Sequence, residues 1–326
     1  MPAETIFTIQ NDQDFEKAAL RIFRHQYING NVYQRFCNLL GIAQSSVKTI
    51  KEIPFLPIEF FKKEKILSST SNIQEIFTSS GTTGSITSKH YVTDSKIYQT
   101  SFQKGFHFFY GDIKEYTILA LLPSYLERNG SSLVYMVDAL IKKSQKPKSG
   151  FYLDDTEKLV TILKKLSKQG EKVLLIGVSF ALLNLVENHQ IELDDNTIIM
   201  ETGGMKGKRK EMIREELHQI LKKGFGVSKI HSEYGMTELL SQAYSKGNGI
   251  FHCPPWMKVS TRDPEDALTS MSTGQTGGIN IIDLANINSC SFIATQDLGK
   301  TYANGSFEIL GRFDHSDIRG CNLMLL

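Results

Sequence analysis

The sequence is poor in several features that would place a protein in a special class. Its 326 residues include only four cysteines, eight prolines and one tryptophan, and no apolar run is long enough to cross a bilayer. The cysteines are scattered without a CxxC pair, which argues against a disulfide scaffold or a structural zinc site and favours a reduced, cytoplasmic protein. The first ten residues lack the basic start and apolar core of a signal peptide, so we expect no cleaved leader.

Strong charge is also missing. The formal net charge is +2, which gives no bulk electrostatic reason to expect nucleic acid or an acidic membrane as a partner. Hydrophobic residues make up 40% of the chain and charged residues 22%, as in ordinary globular domains. The chain is therefore long enough for a large core and carries no sign of a membrane-spanning or nucleic-acid-binding role.

What the sequence does contain is an alternation of strand-like and helix-like segments. Strands are predicted at 116–122, 172–176 and 197–201, and helices at 12–48, 132–142, 155–169, 179–188 and 208–223. This order predicts parallel βαβ units. After about residue 241 the segments become short and rich in Gly, Thr and Asp. We therefore expect an α/β body over residues 1–240 and a β-rich subdomain over 241–326.

The run Thr78–Ser85, TSSGTTGS, combines small hydroxylated residues with two glycines. Such a segment leaves backbone N–H groups and hydroxyls open to a polyanion, as a phosphate-binding nest requires. It lies between the apolar stretch Ile73–Phe77 and Lys89–Val92, an arrangement that predicts a strand–loop–strand hairpin over a triphosphate. Taken alone, the segment leaves a flexible Ser/Thr/Gly linker open as the alternative.

A second segment, HSEYGMTE, follows a short strand that we predict at Val227–Ile230. Tyr234 could stack on a purine ring, Thr237 could bind a phosphate oxygen, and Glu238 could hold Mg²⁺ as a hard oxygen ligand. The alternative is a turn that leads into a capped helix, where Glu238 only favours the helix N-terminus.

A third segment, ATQDLG, is followed by GRFD at residues 311–314. Asp297 comes at the end of an apolar strand, where it could accept hydrogen bonds from ribose hydroxyls. Arg312 could bind a phosphate or a carboxylate with its planar fork. A pair of β-turns is the alternative, because Asp and Gly are common turn residues.

In this order, the motifs resemble the adenylate-forming superfamily of acyl-CoA synthetases and related ligases, over residues from about 50 to the end. The resemblance implies that SSGTTG holds ATP phosphates, that YGMTE contacts nucleotide, acyl group and Mg²⁺, and that GRFD marks a hinge. The implied ATP-binding residues are Ser79, Ser80, Gly81, Thr82, Thr83, Gly84, Gly203, Gly204, Tyr234, Gly235, Thr237 and Asp297. ATP and Mg²⁺, the latter on Glu238, are the implied cofactors.

The chain ends soon after the hinge-like motif, so we expect the superfamily's C-terminal lid domain, with its adenylation lysine, to be absent. Together with CPPWMKV and RGCNLM, this resembles the acyl-protein synthetase branch, the fatty-acid-activating component of bacterial bioluminescence reductase complexes. The branch implies an acid–thiol ligase that makes acyl-AMP and passes the acyl group to a cysteine near the C-terminus, here Cys321. Glu238 and Arg312 are the other implied catalytic residues, and an acyl reductase or acyl carrier protein is the implied partner.

Several points stay open at the level of sequence. Cys321 follows Arg319, whose charge would favour a thiolate, but a small buried side chain is the alternative role, and Cys253 is a rival thiol. Lys89, Lys206 and Lys208 are candidate phosphate-site cations. Because strand ends line the ligand crevice of α/β sheets, Pro123 and Ser124 are expected near the acyl pocket. The resemblance implies His231 beside the acyl carboxylate, and a buried core histidine is the alternative. The alternative functions are an acyl- or aryl-CoA ligase of the phenylacetate type and a non-catalytic nucleotide-binding scaffold.

Overall fold

The computed structural model describes residues 3–80, 86–123, 130–203 and 212–313. The chain forms two units, the first made of Met1–Ile73 together with Pro255–Leu326 and the second of Gln74–Pro254. The expected boundary after residue 240 lies inside the second unit. The N-terminal 73 residues, expected in the α/β body, share a unit with the C-terminal strands.

The elements in chain order are as follows. The helices are α1 (Asp12–Asn29), α2 (Asn31–Leu39), α3 (Phe60–Lys63), α4 (Ser95–Tyr110), α5 (Ser132–Ser144), α6 (Thr156–Lys168), α7 (Ser179–Asn188) and α8 (Arg214–Phe225). The strands are β1 (Leu56–Pro57), β2 (Glu75–Thr78), β3 (Lys89–Val92), β4 (Thr117–Leu121), β5 (Gly150–Phe151), β6 (Val173–Val178), β7 (Thr197–Thr202), β8 (His231–Tyr234), β9 (Ala243–Ser245), β10 (Ile250–His252), β11 (Met257–Arg262), β12 (Thr276–Asp283), β13 (Phe292–Thr301) and β14 (Phe307–Arg312). Short 3₁₀ turns lie at Ala3–Thr8, Ile50–Glu52, Ile113–Glu115 and Leu284–Asn286.

The second unit is built on a sheet with the strand order β10-β9-β8-β7-β6-β4-β5. The strands β5, β4, β6, β7 and β8 run parallel, and β9 and β10 continue the sheet in antiparallel pairing. Every residue of β4 and β6 is buried, as in strands that helices cover on both faces. The predicted parallel βαβ arrangement is confirmed. Among the described residues, no helix has both the length and the apolar composition that a bilayer crossing needs.

Two of the predicted elements are wrong in their bounds. The strand expected at Val227–Ile230 lies four residues later, at His231–Tyr234, where it pairs with β7. Three of its four residues, Ser232, Glu233 and Tyr234, are buried although they carry polar groups, so the hydrophobic pattern pointed to the segment before the strand. The helix expected over 12–48 stops at Asn29 because Gly30 ends it, donating its N–H to the Gln26 carbonyl, and resumes only as far as Leu39.

The predicted hairpin around the Ser/Thr/Gly run is confirmed. The strands β2 and β3 pair antiparallel, and Thr78 is the Cα partner of Lys89. The ladder continues one step further, since the Ser79 N–H donates to the Ser88 carbonyl (3.1 Å) and the Ser88 N–H donates to Ser79 Oγ (2.9 Å). Ser79 and Ser80 therefore stand at the base of a loop whose central residues, Gly81–Ser85, lie outside the described part of the chain.

The first unit is an antiparallel sheet of β11, β12, β13 and β14, with the short strand β1 added parallel to β13. The expected β-rich character of the C-terminal segment is confirmed. Its core is aromatic: the Tyr33 ring stacks on Phe292 with ring centroids 6.0 Å apart, and Phe23 meets Phe292 edge-on at 6.4 Å. These contacts bring α1 and α2 onto the sheet.

One buried side chain explains why the N-terminal helix belongs to this unit. Gln26 of α1 donates from Nε2 to the carbonyls of Asn286 (2.9 Å) and Ile287 (3.1 Å) and to Ser291 Oγ (3.2 Å). Its Oε1 accepts the Ser291 N–H at 3.0 Å. A single glutamine thus satisfies the backbone of the turn before β13, which would otherwise be buried without partners.

We expect Gln26→Leu to lower the free energy of unfolding by about 1–3 kcal/mol, because it keeps the side-chain volume but leaves buried carbonyls and an N–H unpaired. Denaturant unfolding measures this difference. The control is Gln13→Leu, on the exposed face at the start of the same helix, which should change stability little. Equal effects of the two substitutions would show that the Gln26 hydrogen bonds are not what attaches α1.

Candidate active site

The hairpin of β2 and β3, called the phosphate-loop hairpin after the role expected of its loop, contacts the Tyr234–Glu238 turn directly. Both belong to the second unit. His90, on β3 opposite Phe77, donates from Nδ1–H to the Thr237 carbonyl at 2.9 Å. Its side chain is 1% exposed. A second contact lies beside it, where Ser101 Oγ of α4 is 3.0 Å from Ser241 Oγ. Two segments that are about 150 residues apart in sequence are therefore held together by buried polar contacts.

The His90 imidazole is held neutral. Burial lowers its pKa from 6.5 to about 4, and the hydrogen bond to Thr237, which acts in the opposite direction, only partly offsets this. A neutral ring has one N–H, and the carbonyl acceptor places it on Nδ1. The contact therefore depends on one tautomer of an uncharged histidine.

The turn contains a buried glutamate, Glu238, and a glycine, Gly235. Glu238 is 5% exposed, and the Leu239 N–H closes the turn onto the Met236 carbonyl at 3.1 Å. A Cβ added at Gly235 would overlap Glu233 Oε1, so any larger residue there would displace that carboxylate. The glycine expected from the motif thus leaves space for a neighbouring buried carboxylate.

Among the described residues, no three His, Cys, Asp or Glu side chains form a metal-binding cluster. Mg²⁺ does not need one, because it is usually held by one or two carboxylates together with substrate phosphates and water. A single buried carboxylate at residue 238, beside the hairpin that contains the expected phosphate loop, fits that pattern of ligation.

The carboxyl ends of β7 and β8 carry two buried acidic residues that the sequence did not single out. Thr202 Oγ1 donates to Glu233 Oε2 at 2.5 Å across the two strands. On the other face, Glu201 accepts from Arg214 Nε (3.3 Å) and from Ser179 Oγ (3.3 Å), and His218 Nε2 is 3.5 Å away. Ligands of α/β sheets bind at this edge.

Glu201 is ionised in this network. Burial alone would raise its pKa, but the hydrogen bond from His218, the charge of Arg214 and a hydrogen bond from Ser232 together lower it. Arg214 is the first residue of α8, so the ion pair attaches the start of that helix to the end of β7. It thereby joins the two ends of the segment that contains Gly203 and Gly204, which the family resemblance assigns to ATP binding on the adenine side.

Gly203 adopts the left-handed conformation, with φ of 66°, and its carbonyl accepts from Ser179 Oγ at 2.8 Å. A glycine is favoured at such a φ. Tyr234 ends β8 and is packed edge-on against Phe251, with ring centroids 5.8 Å apart. Its expected stacking on a purine stays a prediction.

In the first unit, Asp297 and Arg312 face each other as Cα partners of β13 and β14. Arg312 Nε donates to Asp297 Oδ1 at 3.1 Å; the Asp297 side chain is 7% exposed, whereas the Arg312 side chain is 78% exposed. Beside them, Gln296 Nε2 donates to Glu59 Oε1 at 2.5 Å. The two predicted residues of this unit are therefore brought together as an ion pair.

The residues expected near the acyl pocket are spread apart. Pro123 follows β4 at the carboxyl edge of the sheet and is half-buried. His231 is the first residue of β8, at the opposite end of the strand from Tyr234. It lies 3.2 Å from Tyr110 Oη, and burial, together with the charges of Lys246 and Lys229, lowers its pKa to about 4.

Some predicted site residues lie outside the described residues: Gly81, Thr82, Thr83, Gly84, Ser124, Gly204 and Cys321. His90, Glu201 and Glu233 are the residues that sequence reasoning missed. The available signal was a charged or polar residue inside a predicted strand, as in Thr197–Glu201 before Gly203. Comparison of the sequence with known motifs does not use that signal.

A sequence profile described as "Acyl-protein synthetase, LuxE" matches residues 6–118 and 124–326. The chain belongs to the LuxE acyl-protein synthetase family. Two relatives in this family are similar over nearly the whole chain, and both are named long-chain-fatty-acid–luciferin-component ligase. The one from Aliivibrio fischeri is 24% identical and covers 95% of this chain and 87% of its own length. The one from Vibrio harveyi is 23% identical and covers 93% and 85%.

Solved structures of adenylate-forming ligases share the fold of this LuxE-family chain. 2-Hydroxyisobutyryl-CoA ligase, in complex with 2-HIB-AMP and CoA, superposes with a TM-score of 0.68 at 14% identity, covering 97% of this chain and 72% of its own. ATP-bound MatB from Rhodopseudomonas palustris gives 0.56 at 15% identity. The chain spans about half the length of that MatB structure, with 75% of this chain and 49% of MatB covered.

We expect acid to destabilise the second unit through His90. Below pH 6.5 the unfolded histidine binds a proton, whereas the native one binds it only near pH 4, so stability falls as the pH drops through that window. The difference between the pKa of 6.5 and that of about 4 corresponds to about 3 kcal/mol of stability. Denaturant unfolding of wild type and His90→Asn, across pH 7 to 4, measures this term.

The asparagine keeps a donor near the position of Nδ1 but cannot titrate, so it should remove this part of the pH dependence while preserving stability at pH 7. His90→Leu, which has no donor, should lose stability at pH 7 as well. A wild-type profile identical to that of His90→Asn would contradict the assignment.

Proposed function

We propose that this LuxE-family protein activates a fatty acid with ATP to an acyl-adenylate and then transfers the acyl group to its own Cys321. One observation carries the proposal: the His90 hydrogen bond to Thr237 places the base of the phosphate-loop hairpin beside the turn that bears Glu238. Family membership supports the chemistry, and the names of its relatives support a long-chain acid as the substrate.

In the first step, a carboxylate oxygen of the acid attacks the α-phosphorus of ATP and pyrophosphate leaves, so that a mixed anhydride forms. Backbone N–H groups and hydroxyls of Ser79–Gly84, with Thr237, bind the phosphates whose charge grows as pyrophosphate leaves. Glu238 would hold Mg²⁺, which would supply further positive charge beside the phosphates. Asp297 binds the ribose hydroxyls, and the loop of Gly203 and Gly204 binds the adenine.

In the second step, a thiolate attacks the acyl carbonyl carbon, a thioester forms, and AMP leaves with the bonding electron pair. The thiolate is the reactive form of cysteine. Burial raises the pKa of both Cys37 and Cys290 to about 12, so neither offers a thiolate near neutral pH. Cys253 is half-buried, and Cys321 lies outside the described residues. This leaves two possible acceptors, and the family resemblance selects Cys321.

A protein thioester is an intermediate that needs an acceptor. An acyl reductase, which would release an aldehyde, or an acyl carrier protein is the class of partner that the thioester would supply. A reactive free thiol requires a reducing compartment, which agrees with the expected cytoplasmic location.

We expect Cys321→Ala to abolish covalent acyl labelling while ATP–pyrophosphate exchange continues, because only the second step needs the thiol. Radiolabelled fatty acids of graded chain length, ATP and Mg²⁺ are incubated with the protein, and label is read on a denaturing gel before and after hydroxylamine. Cys253→Ala and Cys37→Ala are the matched thiol controls and should keep full labelling.

Label that persists in Cys321→Ala but disappears in Cys253→Ala would move the acceptor to Cys253. Label that never forms, with acyl-CoA produced when CoA is added, would replace the proposal with a CoA ligase. ATP binding without exchange for any acid would indicate a non-catalytic scaffold.

We expect Glu238→Gln to raise the Mg²⁺ concentration for half-maximal pyrophosphate exchange by at least about tenfold, because an amide is a weaker ligand than a carboxylate. The measurement is a Mg²⁺ titration of exchange at saturating ATP and acid. Glu216→Gln, an exposed glutamate on α8, is the control and should titrate like the wild type. Unchanged Mg²⁺ dependence in Glu238→Gln would exclude Glu238 as a ligand.

A further inference from the structure

The strand that carries Asp297 contains a bulge at that residue. The strands β12 and β13 pair at Gly278 with Leu298 and at Asn280 with Ala294. One residue of β12 therefore lies opposite three of β13, namely Thr295, Gln296 and Asp297. A bulge leaves ladder groups unpaired and redirects side chains, and such features are common beside active sites.

The guanidinium of Arg262 fills this gap in the ladder. Arg262 is the last residue of β11, and its Nη1 donates to the Ile279 carbonyl (2.8 Å) and to Asn280 Oδ1 (2.9 Å). Its Nη2 donates to the Thr295 carbonyl at 2.5 Å. Thr295 Oγ1 in turn accepts the Asp297 N–H at 3.1 Å. Arg262 thus contacts both sides of the bulge and reaches Asp297 through Thr295.

The neighbouring strand is shaped to admit this side chain. A Cβ on Gly278 would lie 2.7 Å from Arg262 Cζ, and a Cβ on Gly277 would overlap the Arg262 carbonyl oxygen. Two successive glycines inside a strand weaken it unless something occupies their space. Here the guanidinium occupies the space beside Gly278, and the Arg262 main chain occupies the space beside Gly277. A lysine, which has one donor nitrogen instead of a planar fork, could not bridge the same acceptors.

The Arg262 guanidinium also lies near acidic side chains and an aromatic ring. Burial lowers the pKa of Arg262, while the negative charges of Glu59 and Asp297 act against that shift. The Phe313 ring lies 5.8 Å from the guanidinium, and the Phe313 N–H donates to the Gln296 carbonyl at 2.8 Å. The residue therefore contacts the predicted ribose strand and the hinge-like GRF segment at once.

We infer that Arg262 is a positioning residue for Asp297: it sets the geometry of the β13 bulge and, through it, the recognition of the ribose hydroxyls of ATP. The inference rests on the proposed function, in which Asp297 is the ribose ligand. If Arg262 only filled a gap in the structure, its replacement would weaken the binding of every nucleotide equally. If it positions Asp297, its replacement weakens only the contacts that Asp297 makes.

The test compares the binding of ATP with that of 2′,3′-dideoxy-ATP, which has no ribose hydroxyls, by calorimetric titration. Because a hydrogen bond to a charged group is worth about 1.5–3 kcal/mol, wild type should prefer ATP about 10–100-fold. Asp297→Ala should lose that preference. Arg262→Gln should lose most of it, with the Kd for 2′,3′-dideoxy-ATP unchanged, and Arg262→Lys should fall between wild type and Arg262→Gln.

Two further variants keep the test decisive. Gly278→Ala displaces the guanidinium without removing it and should also reduce the preference for ATP, which covers the case that Arg262→Gln does not fold. Tyr33→Phe removes a different buried hydrogen bond of the same unit, to the Pro54 carbonyl at 2.7 Å. It should keep the wild-type preference.

Equal weakening of both nucleotides in Arg262→Gln would overturn the inference, and so would an unchanged preference in that variant while Asp297→Ala loses it. If wild type shows pyrophosphate exchange but no preference between the nucleotides, Asp297 is not the ribose ligand and the inference fails, while the proposed activity stands. If wild type binds neither nucleotide, the proposed function fails together with the inference.

Discussion

The hydrogen bond from His90 Nδ1 to the Thr237 carbonyl is the constraint on which the candidate site depends. It attaches the edge of a two-stranded hairpin to the turn after β8. Because the acceptor is a backbone carbonyl, the contact is insensitive to the side chain at residue 237. It demands, however, a neutral imidazole in one tautomer, which burial provides.

The same edge of the sheet contains acidic side chains that would be costly to bury alone. Glu233 accepts from Thr202, and Glu201 is surrounded by Arg214, His218 and Ser179. Buried charges are tolerated when they are paired and hydrogen-bonded. Their effect here is local: the Glu201–Arg214 pair joins the start of α8 to the end of β7, and Glu233 lies beside Gly235. These contacts attach both faces of the sheet at the carboxyl ends of β7 and β8.

In the first unit, two side chains make hydrogen bonds to backbone groups at places where regular strand pairing is interrupted. Gln26 satisfies the turn before β13, and Arg262 satisfies the bulge within β13. Both are long polar side chains that reach backbone groups which the strands leave unpaired. Gln26 therefore holds the approach to the strand that carries Asp297, and Arg262 holds the strand itself.

The sequence by itself determined the order of the βαβ elements, the hairpin at 75–92 and the family motifs. These depend on local periodicity and local turn chemistry, which short stretches encode. Tertiary structure alone decided the position of β8, because its polar residues become buried only through pairing with β7 and contacts to Thr202 and His218. It also decided the grouping of α1 with the C-terminal strands and the roles of His90 and Arg262. Each of these last three depends on one side chain that contacts backbone distant in sequence. The local sequence does not encode such a contact.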